Sequence, residues 1–153
     1  MNREKVLKVS EVMGFSPKAL QGKYISKLLI ESEGVGSSKL TLVHATMKPG
    51  VPVYPASAHE PPYDEAYYIL QGQGRVEFGP DGEEAYDVEP NVAVFIPAGT
   101  MHRILNTGTK DLVFLGISPL LPTREGINGV YDERIKEWGT SFRKVISPES
   151  ASS

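Results

Sequence analysis

Residues 97–106 read PAGTMHRILN, and this stretch carries the strongest structural signal in the chain. Pro97 fixes its own φ, and Gly99 can adopt the positive φ that a tight turn needs. The apolar run Val92–Ile96 before the turn is typical of a strand, so the turn places His102 at the start of the next strand. A histidine held at a strand start has the rigid position that a metal site or an acid–base site requires.

A second polar cluster lies upstream, where residues 59–65 read HEPPYDE. It is followed by the strand-like run Ala66–Gln71 and then by Gly72. Both clusters therefore place ionisable side chains beside the start of a predicted strand. We expect the two clusters to belong to one site.

The later cluster resembles the second motif of the cupin superfamily, Gly-x5-Pro-x-Gly-x2-His-x3-Asn. The motif residues present here are Pro97, Gly99, His102 and Asn106. Asn91 stands where the motif begins with glycine. The resemblance covers residues 38–118, the greater part of the chain.

The earlier cluster resembles the first cupin motif, Gly-x5-His-x-His-x3-4-Glu-x6-Gly, but only in its second half. With the shorter family spacing, His59 takes the first histidine position and Pro61 the second, which implies His59, Glu65 and His102 as metal ligands. With the longer spacing, Glu60 replaces His59 in the set, because alternate side chains of a strand face opposite sides. We favour His59, since imidazole is the commoner ligand for transition metals.

The resemblance implies a metal-dependent enzyme that acts on a small oxygen-rich organic molecule, as a dioxygenase, isomerase, lyase or cyclase. Two imidazoles and one carboxylate leave open positions on a divalent ion, which suits iron and also manganese, nickel or zinc. Iron would bind oxygen beside a chelating substrate, whereas the other ions would polarise a carbonyl group. The fold alone does not choose among these reactions.

Two alternatives remain open. A cupin with an incomplete first motif can serve as a non-catalytic module that binds or senses a small molecule. A metal-independent cupin of the epimerase kind would use a histidine and a tyrosine for acid–base chemistry on a sugar. Here His102 and Tyr67 are the candidates, because Tyr67 lies two residues beyond Glu65 and so on the same face of the strand.

Composition sets wider limits on the class of protein. The 153 residues contain no cysteine, which excludes disulfides, thiolate zinc sites and cysteine nucleophiles and is compatible with a reducing cytoplasm. The net charge of −3, with acids and bases interspersed, gives no reason to expect a nucleic-acid partner. The sequence has neither an apolar stretch of the roughly 20 residues that span a bilayer nor an apolar segment behind its first charges. We therefore expect a cytoplasmic protein without a membrane partner.

Short apolar runs separated by glycine and proline predict an all-β fold. The predicted strands are Lys39–Met47, Glu65–Leu70, Gly74–Phe78, Glu83–Val88, Val92–Ile96, His102–Leu105 and Leu112–Ile117. Together with the resemblance, they indicate a double-stranded β-helix, the jelly-roll barrel of cupins, which encloses a cavity. In the last strand, either Val113, Leu115 and Ile117 or Leu112 and Phe114 would line that cavity, because a one-residue slip exchanges the two sets.

We expect a single domain over residues 1–153, with the barrel at about 38–118 and extensions at 1–37 and 119–147 packed on it. Residues 1–33 are expected to supply a helix or an edge strand, residues 132–138 a short amphipathic helix, and residues 147–153 a frayed end. His44 is expected to be a buried, hydrogen-bonded structural residue. By resemblance we expect a homodimer that covers exposed sheet edges.

Overall fold

The structure is a computed structural model and describes residues 5–12, 14, 22–31, 35–51 and 62–119. Within these ranges the chain forms one 3-10 helix, Val9–Glu11, and eight strands. The strands are Tyr24–Ile30 (β1), Leu40–Met47 (β2), Glu65–Gln71 (β3), Gly74–Phe78 (β4), Glu84–Val88 (β5), Ala93–Ile96 (β6), His102–Asn106 (β7) and Leu112–Pro119 (β8).

All seven predicted strands are present, with ends that differ from the prediction by at most two residues. The first 33 residues were expected to supply a helix or an edge strand, and they supply both the 3-10 helix and β1. The predicted helix at 132–138, the frayed end at 147–153 and nearly all of the extension at 119–147 lie outside the described residues.

The strands form two antiparallel sheets, as expected for a jelly-roll barrel. The larger sheet has the order β1-β2-β8-β3-β6, and the smaller has the order β5-β4-β7. One hydrophobic core joins the sheets: Tyr67, Ile69 and Phe114 from the larger sheet pack in the same cluster as Val76 and Ile104 from the smaller. Burial of this shared apolar surface is the main force that holds the two layers together. The all-β, double-stranded β-helix prediction is confirmed.

In β3 and β8 the inward side follows the expected alternation. In β8, Leu112 and Phe114 are buried at 0% and 3% exposure, whereas Ile117 is 40% exposed. Of the two sets that the sequence left open, Leu112 and Phe114 therefore line the barrel. In β3 the inward residues are those of odd number, beginning with Glu65 and Tyr67, so the sheet register aims both toward the interior.

Two positions with positive φ fix the ends of β3 and β6. Gly72, at the end of β3, has φ +86°, and a Cβ built there would lie 2.4 Å from the carbonyl oxygen of Asp111. Asn91 precedes β6 with φ +70°. Asparagine is one of the few non-glycine residues that adopt this conformation readily, which explains how it can replace the glycine that opens the second motif.

No helix in the described part of the chain is long and apolar enough to cross a membrane.

Candidate active site

The turn before β7 sets the position of His102. The Thr100 N–H donates to the carbonyl of Pro97 at 3.2 Å, and Gly99 takes the positive φ of +73° that this turn requires. His102 follows as the first residue of β7 and is 1% exposed. Its Nδ1 lies 3.0 Å from the carbonyl oxygen of Thr100.

That contact determines which ring nitrogen carries hydrogen. A carbonyl oxygen only accepts hydrogen bonds, so His102 Nδ1 is the donor in the contact with Thr100. In the neutral imidazole, Nε2 is then left with its lone pair directed into the barrel. A backbone carbonyl bonded to one ring nitrogen is the usual way in which a histidine is oriented to bind a metal through the other.

Glu65 comes to His102 from the other sheet. It opens β3 and pairs in register with Ile96, the residue just before the Pro97 turn, so the starts of β3 and β7 meet at the same end of the barrel. Glu65 Oε2 lies 3.2 Å from His102 Nε2, and the Glu65 side chain is 14% exposed. Two ionisable groups from separate sequence clusters are thus in contact, as the sequence predicted.

Tyr67 is the third residue that the described structure places at this site, beside Glu65 and His102. Its hydroxyl lies 3.1 Å from His102 Nε2, and its ring packs against Phe114 with 5.0 Å between centroids. With the neutral ring, the hydroxyl donates to the Nε2 lone pair; when the ring is protonated, Nε2 can donate to Glu65 instead. Burial, followed by the nearby charge of Glu65, raises the pKa of the Tyr67 phenol well above its usual value of 10.0. Tyr67 therefore keeps its proton at neutral pH.

The described donors fit a divalent transition metal. Bonds to such an ion are about 2.0–2.2 Å long, so two ligands at right angles lie about 3 Å apart, which agrees with the 3.2 Å between Glu65 Oε2 and His102 Nε2. Imidazole nitrogen and carboxylate oxygen are both ligands of such ions. The described residues contain no cluster of three histidine or acidic side chains, and His59 and Glu60, the two candidates for a third ligand, lie outside the described ranges.

Two further motif residues have structural roles around the site. Asn106, at the end of β7, donates to the carbonyls of Met47 and Lys110 at 2.8 Å each and accepts from the Gly108 N–H at 2.9 Å. It therefore ties β7 to the larger sheet and to the next turn. The Asn91 side chain accepts from the hydroxyl of Tyr68 at 3.1 Å.

Sequence reasoning missed Tyr24 as a residue near the site. Tyr24 begins β1, pairs with Met47 and packs against the core, and its phenol contributes to the raised pKa of Tyr67. Tyr63 contributes to the raised pKa of Tyr67 in the same way. The signal for Tyr24 would have been the strand β1, whose position the sequence did not define.

His44, the remaining histidine of the chain, lies away from Glu65, Tyr67 and His102. It faces Lys27 across β1 and β2 and is half-buried rather than buried. Its side chain lies on the opposite side of β2 from those of the core residues Ala45 and Met47. Of the three histidines, His102 is therefore the one that the described structure brings to Glu65.

Comparison with known proteins agrees with this fold. The profile of the Cupin domain family matches residues 43–118, about half of the chain. The polyketide cyclase RemF from Streptomyces resistomycificus superposes with a TM-score of 0.64 at 20% identity, covering 76% of this chain and 79% of that one. A putative sugar phosphate isomerase from Acidithiobacillus ferrooxidans gives a TM-score of 0.52 at 26% identity, over 64% of this chain and 60% of that chain.

A glucose-6-phosphate isomerase from Thermococcus litoralis is 37% identical over 57 residues, which are 36% of this chain and 30% of that protein. The chain thus matches less than a third of the length of this curated relative. The two motifs, the two-sheet barrel and the family match lead to one conclusion: the chain belongs to the cupin superfamily.

Proposed function

We propose that this cupin is a metal-dependent enzyme acting on a small oxygen-rich molecule, with Glu65, His102 and His59 as the metal ligands. The observation that carries the proposal is the 3.2 Å approach of Glu65 Oε2 to His102 Nε2, with the opposite ring nitrogen bonded to the Thr100 carbonyl. A carboxylate and an imidazole lone pair at this distance would suit a shared cation, which supports the proposal. Iron, manganese, nickel or zinc would suit these donors.

Among the reactions of this class, we favour isomerisation of a hydroxy aldehyde or hydroxy ketone. The support is the 37% identity to a glucose-6-phosphate isomerase over 57 residues, together with the similarity to a putative sugar phosphate isomerase. The bound ion would supply Lewis-acid polarisation of the substrate oxygens. Such an isomerisation also needs a group that gives and takes a proton beside the carbonyl carbon.

The chain's own residues can meet that need. Tyr67 keeps its phenolic proton at neutral pH, and its hydroxyl oxygen lies 3.1 Å from His102 Nε2. The Tyr67 hydroxyl can therefore give a proton to a substrate oxygen bound beside it. The near-complete burial of Tyr67 and His102 limits water in the same space, which strengthens electrostatic interactions there.

The first test measures metal per chain, by elemental mass spectrometry, in protein purified without chelators. We expect about one transition-metal ion per chain, because three protein ligands and an open position make up a single catalytic site. That ion should be lost in Glu65→Gln and His102→Gln. Glu89→Gln, a change of an exposed glutamate after β5, is the matched control and should retain the ion. Comparing His59→Gln with Glu60→Gln shows which of these residues supplies the third ligand.

The same preparations should interconvert aldose and ketose sugar phosphates, as followed by NMR, and lose this activity with the ion. Absence of metal after exposure to each of the four ions would reject the metal-dependent enzyme. Metal and ligand binding without turnover of any such substrate would instead identify a binding or sensing module.

A second candidate is metal-independent acid–base catalysis by Tyr67 and His102. The 3.1 Å contact between the Tyr67 hydroxyl and His102 Nε2 favours it, because proton transfer needs the two groups within hydrogen-bond distance. Activity that survives chelation but is lost in Tyr67→Phe would support this candidate over the metal-dependent one.

A further inference from the structure

We propose that Asp64 is a positioning residue for His102, acting through the Pro97–Thr100 turn. Asp64 immediately precedes Glu65, and its Oδ1 accepts a hydrogen bond from the backbone N–H of Ala98 at 2.9 Å. The contact joins the start of β3 to the turn that leads into β7. The effect of Asp64 on His102 passes through this turn.

The path from Asp64 to the imidazole is short and continuous. Ala98 lies inside the turn that the Thr100 N–H closes on the carbonyl of Pro97 at 3.2 Å. The carbonyl of Thr100 in turn accepts from His102 Nδ1 at 3.0 Å. Holding Ala98 therefore holds the carbonyl that selects the hydrogen-bearing nitrogen of His102.

Packing contributes little to holding this turn. Pro97, Ala98 and Gly99 are all exposed, and within the described part of the chain no atom lies within 4 Å of where a Cβ on Gly99 would be. Few contacts and an exposed backbone are the features of a segment that opens easily. The bond from Asp64 links this exposed turn to β3, and the turn is thereby fixed relative to Glu65.

The adjacency of Asp64 and Glu65 gives this contact its significance. Glu65 reaches His102 inside the barrel, while Asp64 reaches the turn. Successive side chains of an extended segment point to opposite sides, so these two neighbouring residues can make both contacts at once. Any movement of the start of β3 then shifts Glu65 and the His102 turn together, and the distance between the two donors is maintained.

The test uses two-dimensional NMR of the metal-free protein, which reads the tautomer of each histidine from its two ring nitrogens. The chain has three histidines, so a His102→Gln spectrum assigns the signal of interest. At a pH where the neutral ring dominates, we expect His102 to be a single tautomer protonated on Nδ1 in the parent protein. Asp64→Ala should shift both ring nitrogens toward the averaged values of a tautomer mixture.

Asp64→Asn should restore the parent spectrum, because the amide oxygen keeps the acceptor for the Ala98 N–H. Asp87→Ala, at an exposed aspartate in β5, is the matched control and should leave the His102 signals unchanged. If Asp64→Ala does not fold, Asp64→Ser replaces it, because its hydroxyl lies one atom nearer to the backbone and does not reach Ala98.

Metal affinity, measured by calorimetry, gives a second reading that rests on the proposed function. Loss of a residue that orients a metal-binding histidine typically costs 10- to 100-fold in metal affinity, so we expect at least about a tenfold loss in Asp64→Ala and recovery in Asp64→Asn. Unchanged His102 signals in Asp64→Ala, or a parent protein with hydrogen on Nε2, would overturn the role of Asp64. Changed signals in a protein that binds no metal would retain this role and reject the proposed function instead.

Discussion

At the residue scale, the site depends on which side of a strand each group occupies. Asp64 and Glu65 are neighbouring acids, yet one bonds to a turn and the other approaches a histidine. Tyr67 and Tyr68 show the same division: the first is 8% exposed beside His102, and the second is 37% exposed on the outer face. Residue type alone therefore does not show which side chains belong to the site in this cupin. The side of the strand on which each residue lies does.

Tyr67→Phe tests the role of the buried hydroxyl. The phenyl ring keeps its packing on Phe114, so we expect folding to be retained with a loss of about 1 kcal/mol in the free energy of unfolding, the net value of one hydrogen bond. If the hydroxyl transfers a proton in the reaction, turnover should fall by about 100-fold or more. Bound metal should remain, because Tyr67 is not a proposed ligand.

Tyr68→Phe is the control for this change. Tyr68 lies on the outer face of the same strand, and its hydroxyl bonds to Asn91. Tyr68→Phe should leave turnover unchanged and stability within about 0.5 kcal/mol of the parent. Equal turnover in Tyr67→Phe and the parent would remove Tyr67 from the catalytic proposal.

Gly72→Ala tests the close approach at the end of β3. The new Cβ would meet the carbonyl oxygen of Asp111 at 2.4 Å, in a backbone with φ +86°. We expect a loss of about 3 kcal/mol in unfolding free energy from steric overlap and left-handed strain together. Gly50→Ala, with φ +74° and no atom of the described residues within 4 Å, should lose only about 1 kcal/mol. Urea denaturation compares the two, and equal losses would show that the neighbouring backbone gives way.

At the element scale, the strands that the sequence defined are those bounded by glycine and proline. Strand β1 was not defined, because its register shifts between Leu28 and Ile30 and its buried residues do not alternate strictly. Such an irregular edge strand lacks the strict alternation of apolar and polar residues by which a strand is recognised in a sequence. Tyr24 was missed for this reason.

The candidate site was predictable to the extent that it lies in the two motifs. Glu65, Tyr67 and His102 were named from the sequence, and the structure brings them together. The sequence could not show that Leu112 and Phe114 are the residues of β8 that line the barrel. Both faces of β8 carry apolar residues, and the packing of the sheet decides which face is buried.

Pairing of β1 with β2 predicts a pH effect at His44. Desolvation and, after it, the positive charge of Lys27 lower the pKa of His44 below its usual 6.5. The unfolded chain then binds the proton more readily than the folded one, so His44 should reduce stability as pH falls from 6.5 toward its folded pKa. Lys27→Met should raise the pKa of His44 in an NMR titration, and Lys39→Met, at an exposed lysine, should not.

A lower or unchanged His44 pKa in Lys27→Met would show that the charge of Lys27 is not felt at the imidazole. In His44→Gln, the loss of stability between pH 6.5 and the folded pKa should be smaller than in the parent, as measured by thermal unfolding across that range.

At the scale of the whole molecule, the outer face of the larger sheet carries exposed apolar side chains. Its exposed members are Leu40, Tyr68, Leu70, Phe95 and Ile117. Such side chains commonly lie in protein interfaces when they are grouped on one face. The expected homodimer would cover this face together with the edge strands β1 and β6.

Phe95→Lys tests that expectation. Phe95 is 63% exposed on edge strand β6, and a twofold interface would contain it twice. We expect the dimer dissociation constant to rise by about tenfold or more, the effect of removing an aromatic residue from an interface core. Tyr86→Lys, at a 54% exposed aromatic on the smaller sheet, is the control. Sedimentation velocity distinguishes the states, and a monomeric parent protein would reject the dimer.

The central position of β8 also bears on the order in which this protein assembles during synthesis. β8 is the last described strand, yet it lies between β2 and β3 in the larger sheet. Pairing it with β2 requires closing a long loop, which is slow compared with forming the β4–β5 hairpin. Glu65 and His102 lie in different sheets, so the two side chains meet only after the sheets have packed together. We therefore expect the proposed metal site to form late in folding, because the unfolded chain does not hold its two donors at the right distance.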